Sequence, residues 1–175
     1  MIVSRQLGRN EIEQVWNIDR RERINNIYQL RNGRLTLMPQ VIDVQGWPAG
    51  EAEKYTPILL GCFDRGGWLQ GAFERKKLVG VAVLDNKFIG ARKDQLQLEF
   101  LHVSHAYRND GLGSRLLEQA KVAARDRGAR SLYISATPSE NTVNFYLRRG
   151  CSIAATPDPE LLALEPDDIH LQCEL

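Results

Sequence analysis

The sequence predicts an α+β fold, a mixed and mostly antiparallel sheet flanked by helices, on three observations. Alternating apolar runs rich in valine occupy 69–84, a strand, helix, strand, helix, strand succession follows from Gln95 to Ala155, and helical spacing precedes both. The 175 residues suit one domain, 1–175, with a sizeable core.

From the start of the chain, Asn10 followed by Glu13 forms a capping box, and Ile12, Val15, Trp16 and Ile18 supply an apolar helical face. Two short helices are predicted within 11–28. Asn32 and Gly33 between the apolar runs 28–30 and 35–38 predict a hairpin, because both residues tolerate positive φ. The WPAG stretch at 47–50 reads as a loop rather than a domain boundary. Tyr55, Ile58, Leu59, Cys62 and Phe63 have helical spacing over 51–64, with Pro57 expected to kink the helix or start a new turn.

Strands at 69–74 and 78–84 flank Arg75, Lys76 and Lys77, which predicts a second hairpin. A strand over 95–103 leads to a helix with Leu112, Leu116, Leu117, Ala120, Ala123 and Ala124 on one stripe, ended by Gly128. Leu132, Ile134 and Ala136 alternate in the next strand. Ser139 is placed to cap a helix holding Val143, Tyr146 and Leu147, and Gly150 closes it. Strands at 151–155 and 169–175 follow, with Asp158 capping a short helix that begins at Pro159.

Composition narrows the function. Charged residues make up 26% of the chain and the net charge is +1, a balance that does not favour nucleic acid as a partner. Residues 1–5 begin no signal peptide and no run is long enough to span a bilayer, so no membrane role and a cytoplasmic location are expected. Cys62, Cys151 and Cys173 are odd in number and lack CxxC spacing, suggesting neither a disulfide framework nor a zinc site. They are expected to be buried small hydrophobes.

The chemistry-bearing segment is RNDGLG at 108–113, between a strand and the long helix. The first N–H groups of a helix lack internal partners and its dipole adds positive potential, so such a junction binds anions. Gly111 and Gly113 let a phosphate approach the backbone, Ser114 adds a hydroxyl and Arg108 a charge-assisted contact. A glycine turn that only permits close packing has the same pattern. The loop has no lysine for a Walker motif, and Leu116 stands where a dinucleotide fingerprint needs its third glycine. One strand further on lies SENTVNFYLRRG at 139–150.

With both motifs in this order, the chain resembles the GNAT superfamily of N-acetyltransferases. Arg108, Gly111 and Gly113 match its first pattern, and Asn141, Phe145, Tyr146 and Gly150 match the later one. The likeness covers about 70–153, including Leu78, Val79, Gly80 and Val81, and leaves 1–60 as elements of the acceptor side. It implies acetyl coenzyme A as co-substrate, no metal, and strands that splay apart on either side of the long helix. Leu101, His102 and Val103 would then flank the pantetheine arm, with the Leu101 amide facing the thioester oxygen. Asn109, Asp110, Gly111, Leu112, Gly113 and Ser114 would hold the pyrophosphate. Asp110 is an acidic departure from the usual turn and is expected to point away from phosphate. Asn141 would bond the arm or serve only as part of the helix cap.

Tyr146 matches the tyrosine that protonates the departing thiolate, and a phenol near pKa ~10 can donate to a thiolate whose conjugate acid lies near ~8.5. Its alternative is a core tyrosine with a locally bonded hydroxyl. Glu99 is a candidate base because period two puts it on one face with Leu101 and Val103, and a solvated glutamate is the other reading. Ser135 occupies the position where some relatives carry a glutamate. His102 and His105 have no third ligand in pattern, so no metal is expected.

The resemblance implies an enzyme that moves an acetyl group onto a primary amine of a small molecule or peptide, with a non-catalytic acyl coenzyme A binding module as the alternative. Asp158, Glu160, Glu165, Asp167 and Asp168 form an acidic stretch that fits either a cationic acceptor or a solvated surface. Trp16, Trp47 and Trp68 fit an acceptor pocket or the core. A homodimer is left open.

Overall fold

The computed structural model describes all 175 residues. The chain runs through β1 (Ile2–Gln6), a 3-10 helix (Arg9–Asn17), β2 (Glu22–Arg31), β3 (Arg34–Val44), α1 (Glu51–Asp64), β4 (Trp68–Glu74) and β5 (Lys77–Ile89). It continues through β6 (Gln95–Val103), a 3-10 turn (His105–Tyr107), α2 (Leu112–Asp126), β7 (Ser131–Ala136), α3 (Glu140–Leu147), β8 (Cys151–Ile153), α4 (Pro159–Leu164) and β9 (Ile169–Glu174). Seven strands form one sheet in the order β1-β4-β5-β6-β7-β9-β8, and β2 pairs only with β3. Only the β6/β7 pairing is parallel. The α+β expectation therefore holds.

Each face of the sheet buries its own apolar set. On one, Leu112, Leu116, Leu117 and Ala120 of α2 pack with Val79, Leu96 and Leu132. On the other, Ile12 and Val15 of the first 3-10 helix and Leu59 of α1 pack with Leu69, Val81 and Phe100. This is the two-layer solution to a sheet with two apolar faces.

Several local signals formed what their chemistry requires. The Ser139 hydroxyl accepts from the Thr142 amide, and the Asp158 carboxylate accepts from the Glu160 and Leu161 amides with Pro159 behind it. Asn32 and Gly33 form the turn of the β2/β3 hairpin at φ of 49° and 74°. Pro57 lies inside a continuous α1.

Three expectations need correction. The second early helix is instead β2, in which Ile24, Ile27 and Tyr28 imitate helical spacing because an irregularity between Ile24 and Asn26 shifts the register. Pairing of Ile24 with Ile42 and of Tyr28 with Leu37 outweighs local periodicity there. The first helical segment starts earlier than Asn10, and it is the Gly8 amide that donates to the Glu11 carboxylate at 2.9 Å. Finally, Cys151 and Cys173 face each other across β8 and β9 and are joined as a disulfide, leaving Cys62 as the one free thiol. Register, not sequence spacing, brought them together.

The loop after β8 is tied down by a buried polar chain. Tyr133 is fully buried, and its hydroxyl donates to His170 Nδ1 at 2.7 Å while accepting from the Asp158 amide at 3.0 Å. His170 Nε2 then donates to the Glu165 carbonyl at 3.0 Å. This arrangement fixes both ends of α4. Removing the hydroxyl strands a buried acceptor and a donor, so Tyr133→Phe is expected to cost about 1–3 kcal/mol in urea denaturation. Unchanged stability would show that the chain of bonds does not form.

Candidate active site

Strands β6 and β7 pair through only three residues on each, 95–97 with 131–133. Beyond that point they diverge, and a cleft of about 730 Å³ opens between them. The outer half of β6 runs along it. Because the Ser104 amide bonds to Val79 on the β5 side, alternation turns the backbone groups of Leu101 and Val103 toward the cleft. The Leu101 and Val103 side chains pack against the α2 side of the core.

At one end of the cleft is the junction into α2. Gly111 precedes the helix at φ of 76°, where a side chain would be strained, and no side chain caps the exposed amides. A Cβ added at Gly111 would meet nothing within 4 Å, so the space before these amides is open. At Gly113 a Cβ would lie 3.4 Å from the Phe145 ring, an ordinary contact, so the packing of α3 against α2 does not by itself require glycine there. Asn109, Gly111, Gly113 and Ser114 line the cleft. Asp110 is exposed and Leu112 is buried in the core beneath the turn, so neither side chain belongs to the lining.

The Arg108 guanidinium donates through Nε to the Val103 carbonyl at 2.9 Å and lies 3.6 Å from Glu22. It braces the turn against β6. A further cation at the turn, which neither motif singles out, is Arg149. Its Nε donates to the Ser114 hydroxyl at 3.1 Å, its Nη1 donates to the Phe145 carbonyl at 2.7 Å, and it lies over the Phe145 ring at 3.8 Å. Its place four residues after Phe145, at the end of α3, was the available signal. The Asn141 amide donates to Glu22 at 3.3 Å across the cleft mouth.

Midway along the cleft is Tyr146, 5% exposed, whose hydroxyl makes no hydrogen bond in the chain and is not sealed off. It therefore opens on the cleft, which removes the locally bonded alternative. Burial pushes its phenol above the ordinary value.

Glu99 differs from its expected setting. The β5/β6 register slips where Val83 pairs with Phe100 and Leu84 with Leu98, leaving Glu99 as a bulged residue. Even-numbered Leu96 and Leu98 face α2 before the bulge, and odd-numbered Leu101 and Val103 do so after it. Glu99 thus does not share their face, and sits beside Cys62 and Asp85 while still lining the cleft. Its Oε2 is buried without a partner. Burial, then the Asp85 charge, pushes its carboxyl up to about 7 against the opposing effect of Arg65.

His102 turns toward the far end of the cleft, edge-on to Trp47 at 4.9 Å and to Phe100 at 5.2 Å. Burial and the charges of Arg20 and Arg108 hold its imidazole neutral. Trp47 is packed by Trp16, whereas Trp68 is part of the α2 core. Ser135 lines the cleft, and His105 sits outside it in the turn after β6.

The model of the acetyltransferase (GNAT) family matches residues 25–151. No curated protein sequence matches the chain significantly. Among solved structures, a nourseothricin acetyltransferase superposes with a TM-score of 0.72 at 17% identity, covering 99% of this chain and 98% of that one. A Bacillus anthracis (Ames) protein named for streptothricin acetylation, in complex with acetyl coenzyme A, gives 0.70 at 19% identity over 100% and 99% of the two chains. The PaiA N-acetyltransferase of Thermoplasma acidophilum, in complex with coenzyme A, gives 0.65 at 16% identity over 100% and 99%.

Glu99 yields a pH-dependent test. An unfolded glutamate titrates near ~4.3, so between there and about 7 the folded chain keeps a proton that the unfolded chain releases. Stability present below the lower value is lost as pH rises through the upper one. Glu99→Gln is expected to exceed the parent in stability at pH 8 by about 1–3 kcal/mol and to equal it near pH 4.5. An equal difference at both pH values in urea titrations would contradict a buried, unpartnered carboxyl.

Proposed function

The chain belongs to the acetyltransferase (GNAT) family, and from that premise we propose that it moves an acetyl group from acetyl coenzyme A to a primary amine by direct attack in the cleft between β6 and β7. The observation that carries this reading is the Tyr146 hydroxyl, unbonded and open on the cleft between the glycine turn and the bulge of β6.

The residues present suit the cofactor. The uncapped amides at the start of α2, the open space before Gly111 and the Ser114–Arg149 contact form an anion cradle for its pyrophosphate. Side-chain charge there comes from Arg149, while Arg108 holds the Val103 carbonyl and so keeps the β6 edge in place. Cleft-facing backbone groups of Leu101 and Val103 pair with the pantetheine arm as a neighbouring strand would, and the Leu101 amide receives the charge that develops on the thioester oxygen.

An amine reaches the cleft as an ammonium near pKa ~10 and must lose a proton before it can attack. Glu99 takes that proton through water, since a carboxyl raised to about 7 is a better acceptor than an ordinary glutamate and is ionised at slightly alkaline pH. Tyr146 supplies the proton to the departing thiolate. His102 is a poor competitor for the base role because its imidazole is held well below its usual value. One of the related structures is named for acetylation of nourseothricin and another for that of streptothricin, which fits a small-molecule amine here.

The test is release of free thiol from acetyl coenzyme A with a panel of amines. Tyr146→Phe is expected to lower kcat by about 100-fold or more while coenzyme A still raises the Tm as in the parent. Full activity in Tyr146→Phe would remove the tyrosine from the proposal. Equal or greater stabilisation by ATP or NAD would remove the cofactor assignment.

A further inference from the structure

The same cleft includes in its lining acidic side chains outside the glycine turn and the catalytic candidates. Glu51 at the start of α1, Glu165 just after α4 and Asp168 before β9 line it, together with Arg20. Glu165 is paired with Lys54 at 3.5 Å. Glu51 and Asp168 form no ion pair within 4.0 Å, and neither side chain is engaged in a hydrogen bond. Arg20 likewise contacts no carboxylate directly and lies over the Trp47 ring at 4.6 Å. Glu51, Glu99, Glu165 and Asp168 are thus cleft-lining carboxylates with no cleft-lining cation in direct contact, and Lys54, which pairs with Glu165, stands outside the lining.

Unpaired carboxylates are costly to withdraw from water and favour the arrival of positive charge. Burial, reinforced by Glu165, Asp167 and Glu51, pushes the Asp168 carboxyl up to about 7, and burial also raises Glu51, in each case against the partly offsetting charge of Arg20. Each would be drawn back toward its ordinary ionisation by a cation.

A continuous apolar wall connects these acids to Glu99. Glu51 and Tyr55 share one side of α1 at i and i+4. The Tyr55 ring meets Phe100 edge-on at 5.6 Å, Trp47 stacks on Phe100 at 6.3 Å, and Phe100 adjoins Glu99 in the chain. Carboxylates therefore stand at both ends of a hydrocarbon-lined path.

We propose that the acceptor is an α,ω-diamine or an equivalent dication, with its reacting amine at Glu99, its methylene chain along Tyr55, Phe100 and Trp47, and its second cationic group between Glu51 and Asp168. This rests on the acetyltransferase reading. Negative charge at the far end sets the preference for a second cation, and the wall sets its distance.

The experiment compares 1,5-diaminopentane with pentylamine on the full chain at saturating acetyl coenzyme A, with calorimetric binding of both amines to the coenzyme A-loaded protein. The diamine is expected to exceed the monoamine in kcat/KM by about tenfold or more, equivalent to about 1.4 kcal/mol. Glu51→Gln and Asp168→Asn should each collapse that ratio toward one, with the coenzyme A-induced rise in Tm showing that the variants fold. Equal kcat/KM for the two amines, or a ratio that persists in both variants, overturns the proposal. If neither amine is acetylated but the diamine binds selectively and the variants abolish that selectivity, the acetyl-transfer reading fails and the dication site stands. Absence of selective binding overturns the site.

Discussion

Everything in the cleft depends on the early parting of β6 from β7. Parallel strands joined by a helix normally pair along their length, with each backbone group satisfied by its neighbour. Here pairing ends after three residues, and β7 continues with β9 while the rest of β6 keeps only β5. The bulge at Glu99 lies just past the last pair and turns the second half of β6 over. One irregularity thus produces a strand edge unpaired with β7, faces Leu101 and Val103 to the α2 core, and places a carboxyl among Cys62, Asp85 and the cleft.

The two ends of the cleft are built differently. The end proposed to hold the cofactor uses backbone: an uncapped helix start, a left-handed glycine, a strand edge, and two arginines that brace or supplement them. The end proposed to hold the acceptor uses side chains carried by α1, the loop before it and the α4 segment. That segment is positioned by the Tyr133–His170 hydrogen bonds rather than by sheet pairing. Backbone recognition suits an invariant ligand, whereas side chains on loops can be exchanged without disturbing the sheet.

Legibility in the sequence followed the same division. The glycine turn, the caps at Ser139 and Asp158, the Asn32–Gly33 hairpin and the strands from 68 onward are local chemistry, and each could be read from a few neighbouring residues. What local reading missed depends on distant pairing. The strand at 22–31 imitates a helix until β3 is placed beside it, and Cys151 meets Cys173 only through the β8/β9 register. Strict alternation assigned Glu99 to the wrong face because a bulge leaves no simple mark in composition. Arg149 was passed over because its contact with Ser114 crosses from α3 to α2, 35 residues apart.

The central claim is that the parted strands and the glycine turn together hold the cofactor. The most direct measurement is the change in backbone amide NMR resonances when coenzyme A is added to the uniformly labelled protein. Large shifts are expected for Leu101, Val103 and residues 109–114, with little change in the outer strands β1 and β4. Unmoved resonances at 109–114 together with shifts elsewhere would contradict the account.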